Sequence, residues 1–278
     1  MNRIWLDEIV RTALEEDIGP GDLTVEAVVD PGTRAQARIY AKAEGVIAGT
    51  QVAARAFQLL DPEVRFQSVP DGTEVAPGDI VADISGEAAA ILSAERVALN
   101  FLQRLSGIAT ETARAAKAAA PYGARIVDTR KTTPGLRALE KAAVRAGGGG
   151  NHRLGLYDAV LLKENHIALA GGIGPAVARA KERVGHMVKI EVEVESLHQV
   201  EEALAAGVDA ILLDNMSLDE MRRAVEMIAG RAIVEASGGI TPERVAEVAS
   251  CGVDVISLGS LTHSARALDL SLLIEVES

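Results

Sequence analysis

Six short apolar runs recur in the second half of the chain: ARIVD (124–128), DAVLLK (158–163), KIEVEVE (189–195), DAILLDN (209–215), AIVEAS (232–237) and DVISLGS (254–260). They are too short for amphipathic helices and rich in Val and Ile, which predicts strands of a parallel sheet buried on both faces. Between them lie SLHQVEEALAAG, SLDEMRRAVEMIAG and TPERVAEVASCG. Each opens on a Ser or Thr cap, carries acidic residues early and ends in Gly, the punctuation of a helix. Strand alternates with helix at spacings of 21, 23 and 22 residues between Glu193, Asp214, Ser237 and Gly259. That grammar predicts a βα-repeat barrel, with six evident strands where a full barrel has eight.

The N-terminal third is patterned differently. LDEIVRTALEED places Leu6, Ile9, Val10, Ala13 and Leu14 at helical spacing. ARIYAKAEGVIAG and VRFQSVPDGTEVAPGDIVADISG then alternate in short segments broken by Gly and Pro, as in an antiparallel α+β module. The second has the shape of a biotinyl or lipoyl carrier hairpin, but no lysine lies between Lys42 and Lys117 to carry such a group. A long helical pattern from Ser93 to about Ala120 is expected to join the modules, and LDLSLLIEVE at the C terminus to pack back on the first. The expected division is an N-terminal domain over 1–110, with 268–278 returning to it, and a barrel over 111–267.

Strand ends acquire meaning in such a barrel, because side chains there converge on one mouth. They are Asp128 with Arg130 and Lys131, then Lys163, Glu193, Asp214, Ser237 with Gly238, and Gly259. Core strands do not need charged ends, since a buried unpaired charge is costly. In IEVEVE the period-two alternation puts Glu191, Glu193 and Glu195 on one face, so the strand alone does not choose among them.

Charge sharpens the picture. The 278 residues carry a net charge of -12 and seven aromatic side chains, a poor match to nucleic acid. Yet Arg96 to Lys163 holds twelve Lys/Arg against four Asp/Glu. Six of those cations fall in DTRKTTPGLRALEKAAVRAGGGGNHR (128–153), where Arg137, Lys141 and Arg145, spaced by four, are expected on the outer or dimer-facing side of a helix. The four glycines before His152 and Arg153 suit close approach of backbone to a ligand. No apolar run reaches membrane-spanning length. The acidic first residues lack a signal-peptide pattern, so the cytoplasm is the expected location. Cys251 stands alone and has no intrachain disulfide partner.

DTRKTTPGLRALEKAAVRAGGGGNHRLGLYDAVLLKENHI resembles the quinolinate phosphoribosyltransferase family. The likeness continues through EDIGPGDLT (16–24), ERVALNFLQRLSGIAT (95–110), EVEVES (191–196), ILLDN (211–215), EASGGI (235–240) and SLGSLTHS (257–264). The resemblance implies an N-terminal α/β sandwich domain, a C-terminal incomplete, TIM-like α/β barrel, and a homodimer whose active site the neighbouring subunit completes. It also implies transfer of phosphoribosyl from phosphoribosyl pyrophosphate to quinolinate with decarboxylation, in NAD synthesis. Carried onto this chain, it assigns Arg130, His152, Arg153 and Lys163 to quinolinate, with Arg96 reaching across the dimer and Arg104 as the competing arginine. Lys131 falls near the donor, and Glu193 and Asp214 on its Mg²⁺-bearing side, as direct or indirect ligands. Ser237, Gly238, Gly259 and His263 fall around the phosphate. Lys131, Lys163, Glu193 and Asp214 are the expected catalytic residues.

Three other readings compete. A paralogue from molybdenum transport operons would share the fold with another substrate. A barrel aldolase would use Lys163 as a Schiff base, and a non-enzymatic carrier would need the missing hairpin lysine. Zinc is disfavoured, because His152, His166 and His263 lack HxxxH or HExxH spacing.

Overall fold

A computed structural model describes residues 2–276. In chain order its elements begin with α1 (Arg3–Ile18), α2 (Leu23–Val28), β1 (Arg34–Ala41), β2 (Gly45–Val46), α3 (Thr50–Leu60), β3 (Arg65–Ser68), β4 (Glu74–Val75), β5 (Ile80–Glu87) and the long α4 (Ala88–Ala119). They continue with β6 (Arg125–Val127), α5 (Arg137–Ala146), β7 (Val160–Leu162), α6 (Glu164–Ala170), α7 (Ile173–Arg183), β8 (Ile190–Val194) and α8 (Leu197–Ala206). The last are β9 (Ala210–Asp214), α9 (Leu218–Ile228), β10 (Ile233–Ser237), α10 (Val245–Ala249), β11 (Val255–Ser257), α11 (Ser260–His263) and β12 (Leu270–Val276).

The chain divides into two compact units: residues 1–111 with 134–148 and 265–278, and residues 112–133 with 149–264. Beside the division expected from sequence, 1–110 with 268–278 and 111–267, segment 134–148 here belongs to the first unit. Its helix α5 buries Leu139, Glu140, Lys141, Ala143 and Val144.

The first unit is built on an antiparallel sheet in the order β12-β1-β5-β3. Strand β1 alternates strictly, with Ala35, Ala37, Ile39 and Ala41 buried. Helix α1 buries Leu6, Val10 and Leu14, and α3 buries Val52, Ala53, Ala56 and Phe57. The two helices are joined by a bidentate pair, Arg55 to Asp7 at 2.6 and 2.9 Å. Strand β12 closes the unit by pairing with β1 from Ala35↔Val276 to Ala41↔Leu270. Lys141 corrects the expectation of an outward-facing stripe, since it has no exposed surface. Spacing by four aligns residues on a helix but does not say which way the stripe faces.

The second unit is the barrel. All six apolar runs form parallel strands, in the order β6-β11-β10-β9-β8-β7, and Gly150 bridges in parallel to Val127 beyond β6. Helix caps read from sequence also form: Ser196 accepts from Gln199 N–H, and Ser217 makes a capping box with Glu220. Among the described residues no helix is long and apolar enough to cross a membrane.

Gly107 on α4 offers a test of the first unit's packing. Alanine inside a helix is usually better than glycine by about 1 kcal/mol. Here an added Cβ would lie 1.9 Å from the Arg266 carbonyl oxygen, so backbone must move. Gly107→Ala is therefore expected to destabilise by about 2 kcal/mol, lowering the melting temperature by about 5 °C in thermal unfolding. A rise would contradict that contact.

Candidate active site

Parallel pairing brings the C-terminal ends of the barrel strands to one rim, where they line a cleft of about 740 Å³. Arg130 and Lys131 enter it after β6, and Lys163 directly after β7. Glu193 comes from β8, Asp214 from the end of β9, Ser237 and Gly238 from the end of β10, and Gly259 with His263 from the turn and helix after β11. His152 and Arg153 reach the same cleft from the segment before β7. Of the residues singled out from sequence, Arg96 and Arg104 lie elsewhere, on the part of α4 in the first unit. Arg104 is engaged with the fully buried Glu140 at 2.6 Å, whereas Arg96 is exposed, 4.0 Å from Glu95.

The Asn151-His152-Arg153 segment is held from several sides. Asp128, fully buried at the end of β6, accepts from the Asn151 amide and from the His152 backbone N–H at 3.0 Å. Arg153 donates through Nη1 to the Ala159 carbonyl at 3.1 Å, and its backbone N–H points at His152 Nδ1 at 2.7 Å. Asp158 then accepts from the Leu154 and Gly155 backbone, closing the turn. Burial, and after it the neighbouring charge of Arg130, hold the Arg153 guanidinium below its usual basicity, while Glu191 and Asp158 act the other way. Two cations held this close favour an anion with more than one negative group.

The cleft also carries carboxylates. Lys163 Nζ is ion-paired with Glu193 Oε2. A Schiff-base lysine would instead need a neutral amine. Asp214 Oδ2 accepts from the Asn215 side-chain amide at 2.7 Å. Asn215 takes a left-handed φ of 54°, and its N–H donates to the Ser237 carbonyl. An added Cβ on Gly238 would sit 2.3 Å from Asn215 Oδ1, so the glycine is required for this turn. Lys131 and His263 crowd Gly259 similarly, and the Lys131 carbonyl accepts from Thr262 Oγ1 at 2.8 Å. His166 lies outside the cleft lining and accepts from the Lys163 backbone N–H, capping α6.

Two acidic residues gain a place that the sequence did not assign. Glu191, one of three glutamates on β8, is buried against His152, while Glu195 is exposed. Glu235 on β10 is only 5% exposed and lines the cleft floor beside the same imidazole. The available signal was an acid in the middle of an apolar strand, IVEAS. Burial, and then the charge of Glu191, push the Glu235 carboxyl up to about 7.

Comparison with known proteins covers both units. Residues 22–106 match "Quinolinate phosphoribosyl transferase, N-terminal domain", and residues 108–273 its C-terminal domain. The chain is 47% identical over 275 residues to a probable nicotinate-nucleotide pyrophosphorylase [carboxylating] of Bacillus subtilis (strain 168), covering 98% of this chain and 94% of that one. It is 41% identical to quinolinate phosphoribosyltransferase [decarboxylating] 2b, mitochondrial, of Nicotiana tabacum, covering 98% and 83%. The crystal structure of NadC from Streptococcus pyogenes superposes with a TM-score of 0.97 at 44% identity, covering 100% and 99%.

The raised Glu235 carboxyl makes stability depend on pH. The folded state holds its proton with a pKa of about 7 against an ordinary 4.5. The stability tied to that proton is fully present below about pH 4.5 and is lost as pH rises through about 7. Relative to Glu235→Gln, the wild-type protein should lose melting temperature between about pH 5 and pH 8. Parallel melting curves across that range would show that Glu235 titrates normally.

Proposed function

The chain belongs to the quinolinate phosphoribosyltransferase family, and from that premise we propose that its barrel cleft transfers phosphoribosyl from phosphoribosyl pyrophosphate to quinolinate, releasing pyrophosphate and CO2. The observation that carries this reading is the cation pair Arg130 and Arg153, set in one cleft with Lys163 and facing carboxylates and a glycine turn. Quinolinate bears two adjacent carboxylates, and planar guanidinium groups meet such groups in bidentate fashion. Arg130, Arg153 and Lys163 receive that dianion, with His152 in the same wall. Ser237, Gly238, Gly259 and His263 receive the donor's phosphate, and Lys131 neutralises its pyrophosphate.

Oxygen chemistry at Glu193 and Asp214 fits Mg²⁺, a hard cation that takes one or two carboxylates together with phosphates. Each residue spends one oxygen on a neighbour, and Glu193 Oε1 and Asp214 Oδ1 take no hydrogen bond from the described residues. When bound, Mg²⁺ supplies charge neutralisation for the leaving pyrophosphate.

The protein's work is positioning and electrostatics. The pyridine nitrogen attacks C1 of the ribose as the C1–oxygen bond breaks and its electrons leave with pyrophosphate. Lys163, tied to Glu193, sits between the two substrate sides and fixes their approach. The new pyridinium draws electrons as the bond from C2 to its carboxylate breaks, and C2 then takes a proton. No side-chain nucleophile is required. Arg96, exposed on α4, completes the carboxylate cradle of a partner subunit in a homodimer with shared active sites. The reaction takes place in the cytoplasm, in NAD synthesis.

With quinolinate, phosphoribosyl pyrophosphate and Mg²⁺, the protein should form nicotinate mononucleotide and CO2 in equal amounts. Absence of product, or turnover of nicotinate without CO2, would sink this function. Arg130→Ala should raise the KM for quinolinate about tenfold or more with little change in melting temperature. Wild-type kinetics in that variant would remove Arg130 from the site.

A further inference from the structure

The buried carboxylates of Glu191 on β8 and Glu235 on β10 converge on one edge of the His152 ring. Nε2 lies 3.1 Å from Glu191 Oε2 and 3.5 Å from Glu235 Oε1. The other ring nitrogen is already committed, because the Arg153 backbone N–H points at Nδ1 from 2.7 Å. A backbone amide can only donate, so Nδ1 must accept. A neutral imidazole with an accepting Nδ1 carries its proton on Nε2. An imidazolium would turn two N–H groups against each other. Both ring nitrogens therefore have partners within the protein.

We propose that Glu191 and Glu235 are positioning residues that act on the reaction through His152: they hold the ring as its Nε2–H tautomer, and Nδ1 in turn holds the backbone that aims Arg153 into the cleft. The proposal rests on the role given above to Arg153 in binding quinolinate. It gives His152 the role of a link between the barrel wall and that arginine. The rest of the segment is arranged for the same purpose. Asp128 grips the His152 N–H on one side, and the Ala159 carbonyl grips the guanidinium on the other. Bidentate recognition of a carboxylate tolerates little error in angle, so loss of one such restraint falls on binding.

Glu235 faces three polar groups, the His152 ring, the Glu191 carboxyl and the Ser257 hydroxyl. Its Oε1 is buried with no hydrogen-bond partner among the described residues. An apolar side chain would fill that layer of β10 without the cost of desolvating an acid. The nearby donor is the polarised Nε2–H, and a small tilt of the ring moves that proton from Glu191 toward Glu235.

The test compares Glu235→Ala, Glu235→Gln and Glu191→Ala in the full-length protein. Glu235→Ala should raise the KM for quinolinate about tenfold or more, while that for phosphoribosyl pyrophosphate stays within about twofold. Glu235→Gln keeps the shape and an acceptor for the ring, and should return the quinolinate KM to within about threefold of wild type. Should Glu235→Ala fail to fold, Glu191→Ala, which removes the acceptor 3.1 Å from Nε2, is expected to show the same split between the two KM values. Nitrogen NMR of histidine-labelled protein reads the mechanism without turnover. The His152 ring should be protonated at Nε2 and bare at Nδ1 in wild type and Glu235→Gln, and mixed in Glu235→Ala. A ring protonated at Nδ1 in wild type, an equal rise in both KM values, or an unchanged quinolinate KM in folded Glu235→Ala and Glu191→Ala would overturn the proposal. Lack of turnover by the wild-type protein would instead overturn the function proposed above, and leaves the tautomer result standing.

Discussion

Everything in the candidate site depends on strands that run the same way. In a parallel βα repeat the C-terminal ends of all strands meet on one rim, and the residues just beyond the last paired position point into common space. Register keeps that rim level: Glu193 stands opposite Leu212, and Ser237 opposite Asp214. Residues scattered from 130 to 263 thereby line one cleft. A chain of net charge -12 can gather cations at one mouth only because the fold brings together these particular positions.

The cleft is organised against its own electrostatic preference. Arg130 makes Arg153 harder to charge, and Glu191 makes Glu235 harder to ionise. Sites that bind multiply charged ligands store such repulsion, and opposite charge on the ligand relieves it. Asp128 and the Asp158 turn supply the restraint that keeps Arg153 in place despite this.

Barrel architecture and site differ in how far local pattern foretells them. Strands β6 to β11 announce themselves through apolar runs, and α8 and α9 through their Ser caps, because burial on both faces and unsatisfied helix ends leave local traces. Arg130, Lys131 and Lys163 stand out because charge at a strand end has little other use in a core, and Arg153 through the glycines before it. The choice among Glu191, Glu193 and Glu195 was closed to local pattern. Alternation assigns all three to one face, and only depth along β8 separates the buried Glu191 from the cleft-facing Glu193 and the exposed Glu195.

The sequence by itself determined the strand and helix succession, the rim on which chemistry would gather, and the family likeness carried by its motifs. Tertiary structure decided which way each charged residue faces. It sank Lys141 and Glu140 into the first unit, tied Arg104 to Glu140, and set Glu235 against His152. The reason is physical: period and caps are properties of neighbours along the chain. The fate of a charge depends on what approaches it through space, and Arg104 and Glu140 are 36 residues apart while His152 and Glu191 are 39 apart.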